Sequence, residues 1–503
     1  MVADNVTNLG DIFNNNVQKS AALTDCRDWD HPKTYTYGAL DSAADNCALG
    51  LRARGLKPGD AVAILSANRA EFMIAFMGIL RAGLIAVPIN HKFSNEVIRF
   101  IFNDADVKLT ICDAKRAETL DLNSPVVSFA LTGEGSFNSL LQPGIPETFD
   151  TSEHDIAMIL YTSGSTGRPK GVPLTHSGHL WALRARADDF QQHRILVAAP
   201  LYHMNALCVT LVVWASKAQI VLLPEFTAER YVAAIERFKC TWITSVPTML
   251  AMIFIDPELT TQADLSSVRI VRMGSAPVSQ KLWAHVEKTF PNANIMNGYG
   301  TTESGPVVFG PREGKMPPPT SVGWVLPGVG AKLIDSKGNE AEEGELFHKC
   351  PANSPGYLKL PEKTAQVFTE DGWYKTGDVF RRDDIGAHYF VGRTDDMFNC
   401  GGENIYPTEV EATLISHPDI DQACVVPLPD EIKGAKPVAF AVARTNASVD
   451  EDLIKEHALA NGPAYQHPRR VLIMNELPIA GPGKIDRKKL TEKAIELWST
   501  VPT

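Results

Sequence analysis

None of the eight cysteines (26, 47, 112, 208, 240, 350, 400 and 424) stands in a CxxC pair, and no histidine is spaced to complete a zinc site beside one. That excludes a zinc module, and the scatter suits reduced thiols in a cytosolic protein. Basic charge is in short supply as well: 48 lysines and arginines face 59 acidic residues, a formal net charge of −11. A surface built for the phosphate backbone of nucleic acid needs the opposite balance, so nucleic acid is excluded as a partner. The densest apolar run, Ala206–Ala215, is about half the roughly 20 residues a membrane-spanning helix needs. The opening MVADNVTNLG has no basic start leading into an apolar stretch, and the closing VPT is no peroxisomal address. A soluble, cytoplasmic enzyme without stable membrane insertion is expected; its oligomeric state, a homodimer included, is left open.

What is present reads as alternation. A chain of 503 residues is too long for one hydrophobic core, so a large two-lobed body with at least one smaller domain is expected. From Tyr35 to about Asp113, segments of helical period (Leu40–Arg54, then EFMIAFMGILRAG) alternate with strand-like AVAIL and IAVPIN. The rhythm returns after Gly171 in ILVAAP, QIVLLP, AERYVAAIERF, TWITSVP and VRIVRMG. Beyond these, Leu282, Val286 and Phe290 recur every four residues, as one helix face would. After about Gly323, short β-like segments such as AKLIDSKGNE and GELFHKC take over. The predicted fold is α/β: residues 1–394 make two α/β lobes plus a small β-barrel-like subdomain, and residues 395–503 a small α+β domain.

The stretch YTSGSTGRPKG at 161–171 is too poor in apolar side chains to serve a core. Three glycines (164, 167, 171) and five hydroxyl side chains (Tyr161, Thr162, Ser163, Ser165, Thr166) surround one lysine, Lys170. Glycine lets successive N–H groups turn toward one point, and such a nest binds anionic oxygens, phosphate above all. It is no Walker A loop, because Pro169 stands where that motif needs its second glycine.

Five further segments follow in order: NGYGTTESG at 297–305, YKTGD at 374–378, GR at 392–393, GGENIYPTEVE at 401–411 and GPGKIDR at 481–487. Together with the hydroxyl-rich stretch they resemble the adenylate-forming superfamily of acyl-CoA synthetases, peptide-synthetase adenylation domains and firefly luciferase, over nearly the whole chain. The resemblance implies two steps: a carboxylate attacks the α-phosphate of ATP and releases pyrophosphate, and a thiol then displaces AMP from the acyl-adenylate. ATP, Mg²⁺ and coenzyme A are the implied cofactors. By resemblance, Lys170, Thr162 and the loop Ser163, Gly164, Ser165, Thr166, Gly167 cradle the β- and γ-phosphates. Glu303 holds Mg²⁺, and Thr302, next to Thr301, meets the α-phosphate. Tyr299 stacks on adenine against the backbone of Gly274, Ser275 and Ala276, in a seat that takes in Asn297, Gly298 and Gly300. Asp378 accepts hydrogen bonds from the ribose hydroxyls, with Arg393 assisting. Lys484 bridges the acid carboxylate and the α-phosphate as charge develops. Asp395 stands at the hinge of a mobile C-terminal domain, which swings Lys484 away and brings in Gly401, Gly402 and Glu403 for the pantetheine arm.

The same comparison bears on the acid. Peptide-synthetase domains carry an Asp for the substrate amine where this chain reads PLYHMNALCV, so an amino acid is not expected. The GGENIYP form, with no carrier domain after it, points to coenzyme A as thiol. His203 resembles the histidine that lies against the substrate carboxylate and gates the pantetheine tunnel; Asn205 stands where plant hydroxycinnamate ligases carry a tyrosine. The candidate pocket lining is Trp242, Ser245, Val246, Met273, Asn297, Val307 and Val308, mostly apolar. No arginine stands at the usual positions for a second carboxylate, so an aromatic or medium-chain aliphatic monocarboxylate is expected rather than malonate or oxalate. The alternatives are transfer to a carrier-protein phosphopantetheine and a non-catalytic adenylate-binding regulator; the latter predicts erosion at Lys484, Glu303 or Asp378, and all three are present. Three departures from the family pattern, Ala480-Gly481-Pro482, Gln466 and Ala435, bear on the coenzyme A side more than on adenylation.

Overall fold

The apolar runs between the helical segments line up as two mainly parallel sheets in a computed structural model. It describes residues 2–498 apart from 14–16, 120–123, 130–132, 134, 163–167, 188–189, 306–307, 313, 401–402, 431, 446 and 480–484. One sheet has six strands in the order Val126–Ser128, Val107–Cys112, Ala61–Leu65, Ile85–Pro88, Ile156–Thr162 and Lys170–Thr175, the last antiparallel to its neighbour. The other has seven: Asn294–Gly298, Ile270–Gly274, Trp242–Ser245, Arg194–Val197, Gln219–Leu222, Ala21–Asp25 and Lys33–Thr36. The chain therefore begins in the second lobe, with Ala21–Asp25 pairing parallel to Gln219–Leu222. Tyr37 secures that start by donating its hydroxyl to the carbonyl of Ala218 at 2.7 Å.

Helix Ala70–Arg81 is apolar on every side and buried on every side but Glu71, as a helix enclosed by the core must be. It packs on helix Tyr37–Ala53 so closely that a Cβ on Gly78 would fall 2.6 Å from that of Cys47. Arg81, buried at its end, is held by Asp41 at 2.5 Å and Asp45 at 2.6 Å. In helix Gln280–Thr289 the buried stripe is Trp283 and Val286, continuing into Phe290, while Leu282 of the expected four-residue repeat is half-buried. All eight cysteines are buried and free.

The expected small β subdomain is a four-stranded antiparallel meander, Gly330–Ile334, Glu343–Lys349, Tyr374–Arg382 and His388–Arg393. Its apolar side gathers Val308, Phe309, Leu346 and Phe380. That sheet ends at Arg393, and the first strand of the next, Phe398–Cys400, opens the α+β domain. There a five-stranded sheet, centred on Gly434–Ala443, carries one apolar cluster around Leu414 and Ile454 and another around Phe440 and Trp498. Among the described residues, no helix is long and apolar enough to cross a membrane.

Candidate active site

Open α/β sheets take ligands outside the carboxyl ends of their parallel strands. Here Trp242–Ser245, Ile270–Gly274 and Asn294–Gly298 lie side by side, with Met273 opposite Asn297 and Gly274 opposite Gly298. The two glycines are required by proximity: a Cβ on Gly274 would lie 2.8 Å from the Gly298 carbonyl oxygen. The chain turns out of the strand through Ser275, a non-glycine residue at φ 68°, a left-handed conformation costing about 1–2 kcal/mol. This turn and the one starting at Tyr299 leave the two strand ends together.

Tyr299 donates its hydroxyl to Asp378 Oδ2 at 2.5 Å and sets its ring edge-on to Phe380, 4.8 Å between centroids. Asp378 is placed by the meander, where it pairs in register with Arg393, and its backbone N–H is held by Thr376 Oγ1 at 3.0 Å. Arg393 gives Nη1 to Asp378 Oδ1 at 2.7 Å and Nε to Asp395 Oδ1 at 2.8 Å. Burial pushes the Asp378 carboxyl up despite Arg393 and Tyr299, and burial followed by the neighbouring Asp378 pushes the Tyr299 phenol up. On Arg393 burial acts downward, but Asp378 and Asp395 outweigh it and hold the guanidinium proton more firmly than usual.

Lys170 pairs in register with Thr162 where the antiparallel strand returns. Its ammonium lies 4.3 Å over the ring of Tyr357, and the Tyr357 hydroxyl donates to Glu303 Oε1 at 2.8 Å. Burial pulls the Lys170 amine below its ordinary value, with the charge of Glu303 opposing. Glu303 is itself buried, and its carbonyl accepts from the Ser354 N–H at 2.6 Å. Thr302 is half-buried beside it, Thr301 shares a hydrogen bond with Ser304 at 3.2 Å, and Gly300 and Ala276 are exposed. Tyr357, in SPGYLK, was not singled out from the sequence; nothing local to it signals that it joins Lys170 to Glu303. Asn297 donates to the Thr320 carbonyl at 2.8 Å, and Glu403 is exposed in the short strand Glu403–Ile405. Ser163, Gly164, Ser165, Thr166, Gly167, Val307, Gly401, Gly402 and Lys484 lie outside the described residues.

The described residues of the expected acid lining differ in where they lie. Trp242 opens its strand, about 10 Å from the Ser245 end, and packs edge-on to Phe190 and His193. Met273 and Ser245 are fully buried in the sheet, Val246 is half-buried, and Val308 belongs to the cluster of Phe309 and Phe380. His203 precedes helix Met204–Ala215, its ring 4.6 Å from that of Tyr202. An arginine also stands close to these residues. The guanidinium of Arg272 lies against Gly298, where a Cβ would fall 2.6 Å from Nη2, and donates Nη1 to Asn205 Oδ1 at 2.7 Å. The signal for it was a lone charge inside the otherwise apolar strand Ile270–Gly274.

The family description "AMP-binding enzyme" matches residues 13–358, and its C-terminal domain matches residues 409–484. The chain belongs to the AMP-binding enzyme family. Within it, the chain is 31% identical to a 4-coumarate–CoA ligase 2 of Nicotiana tabacum, over 91% of this chain and 89% of that protein. It is 30% identical to an oxalate–CoA ligase of Arabidopsis thaliana, over 88% of this chain and 90% of that one. Among solved structures, the anthranilate CoA ligase AuaEII in complex with anthranoyl-AMP superposes with a TM-score of 0.88 at 28% identity, covering 97% of both chains. ATP-bound MatB from Rhodopseudomonas palustris gives 0.88 at 26% identity, covering 97% of this chain and 99% of that one. The two-lobed α/β fold with its C-terminal domain is the family's fold.

Proposed function

We propose that the protein is an ATP-dependent acid–CoA ligase. It joins a carboxylate to the α-phosphate of ATP with release of pyrophosphate, then passes the acyl group to the thiol of coenzyme A with release of AMP. The observation that carries this reading is the convergence of two charged clusters on the strand ends: Lys170, Tyr357 and Glu303, and Tyr299, Asp378 and Arg393. The clusters lie within electrostatic range of each other, since the charge of Arg393 is felt at Lys170 and that of Glu303 at Asp378. The CoA ligases among the relatives support the same class.

In this reading Lys170, Thr162 and residues 163–167 receive the β- and γ-phosphates, and Thr302 the α-phosphate. The adenine lies between Tyr299 and the backbone of Gly274, Ser275 and Ala276. A carboxylate has about four acceptor positions, so Asp378 still has room for the ribose hydroxyls beside Tyr299 and Arg393. Among the described residues no three His, Cys, Asp or Glu side chains form a metal cage. The single carboxylate of Glu303 suits Mg²⁺, which binds through one or two carboxylates plus nucleotide phosphates. When bound, the ion would offset phosphate charge as the leaving group departs. We place the domain boundary at Asp395, with Lys484 and the Gly401–Gly402–Glu403 loop serving the two steps in turn, and the enzyme in the cytoplasm. A plain monocarboxylate leaves the Arg272 guanidinium unmatched.

The test is release of pyrophosphate and AMP with ATP, Mg²⁺ and a panel of fatty, benzoic, cinnamic and dicarboxylic acids, each with and without coenzyme A. Acid-dependent pyrophosphate release with AMP turnover that requires coenzyme A is expected. Acid-dependent adenylation that ignores coenzyme A would move the acceptor to a carrier protein, and no acid dependence would sink the ligase reading.

A further inference from the structure

Arg272 is a charged side chain for which adenylation and thioester formation have no use. Its guanidinium carries five N–H donors, and its one side-chain acceptor among the described residues is Asn205 Oδ1. No carboxylate there faces it. The ionisable groups beside it are Cys208, whose thiol burial pushes up to about 11 and so leaves neutral, and a second guanidinium, that of Arg186. Burial lowers the Arg272 pKa, yet a guanidinium stays charged at neutral pH.

Other enclosed arginines in this chain are treated differently. Arg81 has Asp41 and Asp45, Arg487 binds Glu411 through two nitrogens at 2.6 and 2.8 Å, and Arg69 has Glu71 and Asp113. Those pairs follow the rule that an enclosed charge is matched by an opposite one. Among the described residues Arg272 has no such match, and it stands in the strand that ends at Gly274. Although largely enclosed by protein, it keeps some accessible surface. The placement is also prepared: Gly298 leaves the backbone bare beneath the guanidinium, and Asn205, in the first turn of helix Met204–Ala215, fixes one edge of it.

We propose that Arg272, oriented by Asn205, is a specificity determinant that binds a second carboxylate on the acid, so that the preferred substrate is a short dicarboxylate activated at its other end. A planar fork of donors matches a carboxylate with two parallel hydrogen bonds. Gly298 and Thr302 are only four residues apart, at most about 14 Å even in a fully extended chain, which caps the length of the acid. This inference rests on the ligase reading and replaces the monocarboxylate expected from the sequence.

The experiment is acid-dependent exchange of pyrophosphate into ATP, with each dicarboxylate set against the monocarboxylate of equal carbon number: malonate against propionate, succinate against butyrate, glutarate against valerate. Benzoate and 4-coumarate are added to the panel. One dicarboxylate is expected to exceed its partner in kcat/KM by about 100-fold, the scale of leaving one partner of a hydrogen-bonded charge pair unmatched. Arg272→Met should remove that preference mainly through KM, and Arg272→Lys should restore part of it. Should Arg272→Met fail to fold, Arg272→Lys and Asn205→Ala carry the same ratio test. Equal use of both acids in every pair, or a ratio unmoved in the folded variants, overturns the subsite and leaves the ligase reading standing. Exchange with no acid at all overturns both.

Discussion

On the proposed nucleotide side, Lys170 rests on Tyr357, Tyr357 reaches Glu303, and Arg393 is shared by Asp378 and Asp395; on the proposed acid side, Arg272 has one amide oxygen and no carboxylate among the described residues. Both sides border the same pair of strand ends, Gly274 and Gly298. The nucleotide side is assembled before its ligand arrives, with each fixed charge already answered by another. That suits a substrate common to a whole family. The acid side leaves one charge for the substrate to answer, which is how a binding site selects among ligands that share a reactive end.

That contrast can be broken most severely at the residue proposed to join the two sides. Lys484→Ala is expected to lower adenylation by about 1,000-fold, the scale of removing a donor aimed at developing charge, while thioester formation from a supplied acyl-adenylate persists. Asp395→Pro should do the reverse; equal loss in both steps, measured separately, would contradict the domain swing. Tyr357→Phe deletes one hydrogen bond to a carboxylate and keeps the ring under Lys170. It should raise KM for ATP about 10-fold without altering the ranking of acids, and an altered ranking would show that the two sides are not separable. Gly298→Ala acts from the other direction, because its Cβ must displace the Arg272 guanidinium. A loss of acid preference of about 5-fold is expected, the overpacking cost of roughly 1 kcal/mol.

The smallest effect belongs to neither side. Burial lowers His176 and His179 to about 4 and His348 to about 3, against an ordinary 6.5. Between those values the unfolded chain binds more protons than the folded one, so stability is full above pH 6.5 and falls as pH drops toward 4. A melting temperature that declines by a few degrees over that window is expected, with the ranking of acids unmoved at any pH where the enzyme is folded.

Lys170, Glu303, Asp378 and Arg393 were legible in the sequence because each sits in a short glycine-marked motif that resembles the family's. Tyr357 and Arg272 were not, because their meaning comes from partners far along the chain. Tyr357 meets Glu303 across 54 residues, and Arg272 meets Asn205 across 67. The helices and strands of both lobes were readable from periodicity, but sheet membership was not: Ala21–Asp25 joins a strand almost two hundred residues later. Trp242 was a candidate for the pocket lining, and the strand that begins with it sets it against Phe190, at the opposite end from Ser245.

Arg393 divides its nitrogens between Asp378, on the large domain, and Asp395, at the proposed hinge. A ligand that takes up the Asp378 oxygens therefore changes what Asp395 must offer, and a backbone rotation at Asp395 changes what Asp378 can give. Linkage makes that influence equal in both directions as a free energy. In the proposed reading, the position of the small domain and the affinity for nucleotide are two readings of one equilibrium, with a single cation as the fulcrum.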